Sequence, residues 1–134
     1  MKIVLDTNVL VSGIFFGGAP ATILEAWQEE RLQLAASREI LAEYDRVCNE
    51  LSVSRRNIDP APFLALVALN AEFSDCPPLT EQVCGDPDDD KFLACALASG
   101  STCVVSGDKL LLKVSGYRGI EVLSPREFVE RHLQ

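Results

Sequence analysis

The run Lys2-Ile3-Val4-Leu5 ends on Asp6-Thr7-Asn8, and apolar character resumes at Val9. A short β-rich apolar run of this kind reads as a buried central strand, because strands covered on both faces lose the apolar–polar alternation of half-buried ones. Such a strand delivers Asp6 to the carboxyl edge of a sheet, where open α/β folds bind their ligands. A carboxylate there contributes little to packing, so its position points to function and to whichever other acids join it.

Further along the chain, Pro20 is placed to open a helix through Leu24 and Trp27 to about Arg31. Leu32 to Ala36 reads as a second strand, and Ser37 caps a helix in which Ile40, Leu41, Tyr44, Val47, Cys48 and Leu51 form one apolar stripe. Asp59-Pro60 starts another helix through Phe63, Leu66, Val67 and Asn70, and Ala71 to Cys76 is a weak strand stopped by Pro77-Pro78. The polar loop Cys84-Gly85-Asp86-Pro87-Asp88-Asp89-Asp90 runs into a compact helix from Lys91 to Ser99. Thr102 to Ser106 is a buried strand that ends in Gly107-Asp108, and Ile120 to Leu123 is the last strand. Ser124-Pro125-Arg126-Glu127 carries the signature of a capped helix start. Strands alternating with helices predict an α/β fold: one three-layer α/β/α domain over residues 1–134, with a mostly parallel central sheet of four or five strands. No repeat, linker or low-complexity segment divides it.

The composition, 48% hydrophobic and 24% charged, is that of an ordinary globular protein. A formal charge of −8 opposes nonspecific attraction to nucleic acid, which comes from neutralising phosphates. Any nucleic-acid role must therefore use bound cations or local basic groups, of which Arg46, Arg55, Arg56, Lys109, Lys113 and Arg118 are the candidates. The five cysteines are odd in number and form no Cys-x-x-Cys pair, so reduced thiols in a cytoplasmic protein are expected and a thiolate zinc site is not. Residues 7–24 carry no charge, but Gly13, Gly17, Gly18 and Pro20 break them as a membrane span, and Asp6 and Asn8 spoil a signal peptide. Phe15, Phe16 and Trp27 are expected in the core, with a contribution to an interface as the alternative. The single histidine, His132, lies in the last turn of the final helix, which disfavours a serine triad. A phosphate-cradling Gly-x-x-x-x-Gly-Lys loop is absent from the sequence.

Two strands thus end in Asp6 and Asp108, one helix opens on Asp88-Asp89-Asp90, and Glu43 borders the apolar stripe of the helix after the second strand. All can reach one sheet edge. Two like charges about 4 Å apart repel by roughly 1 kcal/mol in water and 4 kcal/mol near a protein surface, so converging carboxylates need a countercharge. Lysine or arginine could supply it, but none lies beside Asp6, and a hard divalent ion with oxygen ligands is the natural partner; Mg²⁺ takes one or two carboxylates and keeps waters for a phosphate substrate. Spacing does not choose among Asp88, Asp89 and Asp90, since capping and helix-dipole contacts also favour acids there. Thr7 and Asn8 are expected to steady the Asp6 carboxylate through local backbone bonds. Ser106 is placed either to orient a ligand or water or to cap a turn.

Taken together, Leu5-Asp6-Thr7-Asn8-Val9-Leu10-Val11-Ser12, Glu39-Ile40-Leu41-Ala42-Glu43-Tyr44, Asp86-Pro87-Asp88-Asp89-Asp90-Lys91-Phe92-Leu93-Ala94 and Ser106-Gly107-Asp108-Lys109 resemble the four motifs of the PIN-domain nucleases. The likeness is nearest to the VapC-like toxin components of toxin–antitoxin pairs. It implies that Asp6, Glu43, Asp90 and Asp108 are the catalytic acids and hold Mg²⁺ or Mn²⁺ directly or through water. From the aspartate run it selects Asp90, with Asp88 in support. The implied activity is endonucleolytic hydrolysis of RNA, leaving 5′-phosphate and 3′-hydroxyl ends. In two-metal chemistry one ion activates water and the other stabilises the leaving oxygen, and the sequence leaves the number of ions, one or two, open. A homodimer and an antitoxin that reaches into the acidic groove are further implications. Two rivals stand beside this reading: a catalytically silent PIN-like module that binds RNA or protein, and a phosphatase of the haloacid-dehalogenase type. The latter uses Asp-x-Asp, whereas the third position here is Asn8.

Overall fold

In a computed structural model of the chain, which describes residues 1–55 and 57–134, Lys2–Leu5 forms strand β1 with Ile3, Val4 and Leu5 wholly buried. Arg56, one of the basic candidates above, lies outside the described residues. The other strands are β2 (Gln33–Ala36), β3 (Glu72–Phe73), β4 (Cys103–Val105) and β5 (Glu121–Leu123). They form one sheet in the order β3-β2-β1-β4-β5, and every neighbouring pair is parallel. The chain steps outward from β1 to β2 and β3, then returns to the other side of β1 for β4 and β5. That reversal opens a crevice at the carboxyl ends of β1 and β4, the place where such sheets bind ligands.

The helices are α1 (Thr7–Phe15), α2 (Gly18–Gln28), α3 (Arg38–Ser54), α4 (Ala61–Asn70), α5 (Asp90–Ser99), α6 (Lys109–Leu112) and α7 (Pro125–His132). They flank the sheet in a three-layer α/β/α arrangement, as the alternating pattern predicts. Helix α5 lies across β1, β2 and β4, while α2 packs on α1 and α7. The expected strand over Ala71 to Cys76 shrinks to Glu72–Phe73, both exposed at the sheet edge.

Two helices have no counterpart in the sequence reading. Helix α1 starts directly after Asp6 and buries Thr7, Val9, Leu10, Val11 and Phe15, and α2 buries Ile23, Leu24, Ala26 and Trp27. The uncharged stretch is therefore two core helices bent by 92° about Gly17, whose φ of +96° suits a residue without Cβ. Gly13 lets them meet: a Cβ there would stand 2.5 Å from Leu24 Cδ1 and 3.0 Å from the Pro20 carbonyl. Among the described residues no single helix is long and apolar enough to cross a membrane. The other unforeseen helix is the single turn α6 after Asp108.

Helix α3 begins where Ser37 Oγ accepts from the Ile40 amide at 3.2 Å. In the second turn, the buried Tyr44 hydroxyl donates to the Leu5 carbonyl at the end of β1, which fastens the helix beside Asp6 and brings Glu43 to the same edge. At the far end Ser124 caps α7 by accepting from the Glu127 amide at 3.2 Å. All five cysteines are free, and Cys48, Cys84, Cys95 and Cys103 are buried. Phe15 and Trp27 are core residues, but Phe16 is 57% exposed and lies under the Arg55 guanidinium.

Candidate metal centre

Asp6 is fixed from both ends. Its amide donates to the Val105 carbonyl at 2.9 Å, continuing the β1–β4 ladder, and this register sets Ser106 beside it. The Ser106 hydroxyl donates to Asp6 Oδ2 at 2.6 Å and accepts from the Asp108 amide at 3.0 Å. A single wholly buried hydroxyl thus couples the two strand-end acids, using both its donor and an acceptor site. Asp108 Oδ1 accepts from the Leu110 amide at 3.0 Å and caps α6, and the same carboxyl stands beside Asp89. Burial pushes the Asp6 carboxyl up; the Ser106 hydroxyl and Asn8 amide pull it back, and the charges of Asp108 and Glu43 push it up again.

The aspartate run does not enter α5 directly. Pro87–Asp89 forms a 3₁₀ turn whose start is held by Asp86, which accepts from the Asp88 amide at 2.9 Å. Three residues per turn in place of 3.6 separate the directions of the three side chains. Asp89 is the one set against Asp6 and Asp108. Its carboxyl is pushed up to about 7, first by burial, then by the Asp108 carboxyl beside it and the charges of Asp6, Asp108 and Asp86. Asp89 Oδ2 is buried and has no hydrogen-bond partner among the described residues. Asp90, which the resemblance selects, has a different placement: its carboxylate accepts from the Cys84 amide at 2.7 Å and the Val83 amide at 3.1 Å. It fastens the preceding loop to the start of α5.

Glu43 stands on the other side of Asp6. Its Oε2 accepts from the Thr7 hydroxyl, and its Oε1 is 3.0 Å from Lys91 Nζ. Thr7 therefore steadies Glu43, where the sequence reading expected it to serve Asp6. Asn8 is exposed on α1. Asp88 is exposed too, with Oδ2 at 2.9 Å from the same lysine. Burial alone would pull the Lys91 ammonium down, but the Asp88 and Glu43 carboxylates more than reverse this and hold it above the usual lysine range.

The structure thus gathers Asp6, Glu43 and Asp108 from the expected set and adds Asp89. It also adds Lys91, a cation that stands beside Glu43 and Asp88 and not beside Asp6. The signal was present: Lys91 lies three residues after Asp88, the spacing at which helical side chains pair.

Among the described residues, no three Asp, Glu, His or Cys side chains stand close enough to ligate one ion directly. The donor chemistry nevertheless fits a hard cation. All the donors are carboxylate oxygens, one of them is buried without a partner, and the Asp6 and Asp89 carboxyls are pushed up by burial and by their acidic neighbours, as groups are that lack a countercharge. Mg²⁺ suits such a set because it keeps several of its waters and needs only one or two carboxylates.

A profile of the PIN domain matches residues 2–110, a span that holds all of these acids. An uncharacterized protein of Methanocaldococcus jannaschii, MJ1680, is 29% identical over 142 residues, covering 97% of this chain and 90% of the relative.

Proposed function

Since this chain belongs to the PIN-domain family, whose members are generally metal-dependent nucleases, we propose that it is an endoribonuclease that hydrolyses RNA phosphodiester bonds with Mg²⁺ or Mn²⁺. The observation that carries the reading is the buried, unpartnered Asp89 oxygen beside Asp6 and Asp108. Asp6, Asp89 and Asp108 hold the ion, directly or through water, and Glu43 reaches it through water. A bound ion of this kind supplies a Lewis acid for the phosphate and lowers the pKa of a water. Ser106 sets the Asp6 carboxylate and Thr7 sets Glu43. Asp90 acts on the site from behind, by fixing the loop that leads into the 3₁₀ turn.

With a net charge of −8, the cation is also what draws a phosphate to this edge. The products are 5′-phosphate and 3′-hydroxyl ends. In the same reading residues 1–134 are one nuclease domain and a toxin whose antitoxin covers the acidic edge, and the protein is a homodimer. A cytoplasmic location fits the five free thiols. The phosphatase alternative lacks its second aspartate, since Asn8 stands at that position.

The test is cleavage of a defined RNA panel with and without Mn²⁺, using Asp6→Asn as control. Metal-dependent cutting that drops at least about 100-fold in Asp6→Asn is expected, the order of loss found when a group stabilising transition-state charge is removed. Binding of the panel without cutting, in saturating Mn²⁺, would favour the silent module instead.

A further inference from the structure

Lys91 lies in the first turn of α5 with its side chain only 7% exposed. An ammonium has three N–H donors. Each has an oxygen here: Glu43 Oε1 at 3.0 Å, Asp88 Oδ2 at 2.9 Å and the Asp88 carbonyl at 2.8 Å. A lysine poised to grip a substrate phosphate would keep a donor free, and this one keeps none. Glu43 is equally committed, with Oε1 on Lys91 and Oε2 on the Thr7 hydroxyl. On the other side of Asp6 no basic side chain among the described residues pairs with Asp6, Asp89 or Asp108, and Asp89 Oδ2 is without a partner. One part of the acid cluster therefore carries its own cation and the other part lacks one.

We propose that Lys91 occupies the place of a second cation, so that the pocket takes one divalent ion, at Asp6, Asp89 and Asp108, and none between Glu43 and Asp88. The inference rests on the metal reading above and deepens it. Lys91 is then a positioning residue that holds Glu43 at the border of the site, and Asp88 has its role through Lys91.

The test counts Mn²⁺ ions bound to folded protein by electron paramagnetic resonance of the free ion. One ion is expected for the parent chain and one for Glu43→Gln, whose acid does not hold the ion directly. Two are expected for Lys91→Met, in which Glu43 and Asp88 are left for a second ion. Two ions on the parent chain would overturn the inference and leave the nuclease reading standing. No ion on the parent chain would overturn both. A folded Lys91→Met that still binds one ion would also overturn it; should that variant not fold, the counts for the parent chain and Glu43→Gln decide, because a two-ion pocket loses an ion when Glu43 is neutralised.

Discussion

Replacing Asp89 with Asn removes one charge from the acid cluster and almost nothing from its shape. The Asp89 carboxyl titrates at about 7 in the folded protein, against 3.8 for an ordinary aspartate. At about 1.4 kcal/mol per pH unit, that gap sets a ceiling of about 4 kcal/mol on the cost of ionising it in place. Water reaches part of the group and screens the interaction, so about 2 kcal/mol is the working figure. The sign follows from proton counts. Between about pH 4 and pH 7 the native state binds more protons here than the unfolded chain, so stability falls as pH rises through that window. Asn does not ionise and escapes the loss. In EDTA at pH 8, Asp89→Asn should melt higher than the parent by roughly 6 °C, taking ~3 °C per kcal/mol for a chain of this size. At pH 4, where the parent carboxyl is protonated in the fold, the two should melt nearly together. Mg²⁺ should raise the parent melting temperature more at pH 8 than at pH 5 and move the variant little. Circular dichroism melts at pH 4, 5 and 8, with EDTA or Mg²⁺, measure all of this. If Asp89→Asn melts at or below the parent at pH 8 without metal, the repulsion reasoned from the structure is absent.

Asp90→Ala should behave in the opposite way, losing stability because the Val83 and Cys84 amides lose their acceptor, at about 1–3 kcal/mol for each donor left buried and unpaired; urea unfolding measures it, and a parental midpoint would mean that the loop is not fastened there. Gly13→Ala inserts a methyl 2.5 Å from Leu24 Cδ1 and should cost about 1–3 kcal/mol by overpacking. A thermal midpoint equal to the parent's would show that α1 and α2 can part without penalty.

The sheet was legible in the sequence wherever a strand was buried on both faces. Ile3 to Leu5 and Cys103 to Val105 are continuous apolar runs because neither face meets water. Helices with a polar face and a cap were equally readable, as Ser37 with α3 and Ser124 with α7 illustrate. Helix α1 was not readable. Its residues are uncharged and largely buried, so the 3.6-residue alternation that marks a surface helix is missing, and Val9 and Val11 suggest a strand as readily as a helix.

Within the site, Asp6 and Asp108 were legible because each follows an apolar strand. Choosing within Asp88-Asp89-Asp90 depends on whether the chain enters α5 through a 3₁₀ or an α turn, a difference of some 20° per residue that no residue type announces. Lys91 was half legible: its spacing from Asp88 is that of a helical pair, but its place in the site was not. Its partner Glu43 is far away in sequence, and only packing of α5 beside α3 reveals the pair.

The most direct measurement is the anomalous difference map of crystals grown in Mn²⁺. A peak among the carboxylates of Asp6, Asp89 and Asp108, with Ser106 still bonded to Asp6, is the predicted result. Crystals saturated with Mn²⁺ that show no peak there, or that show Asp6 and Asp108 turned away from each other, would contradict the assignment of this sheet edge as a metal-dependent site.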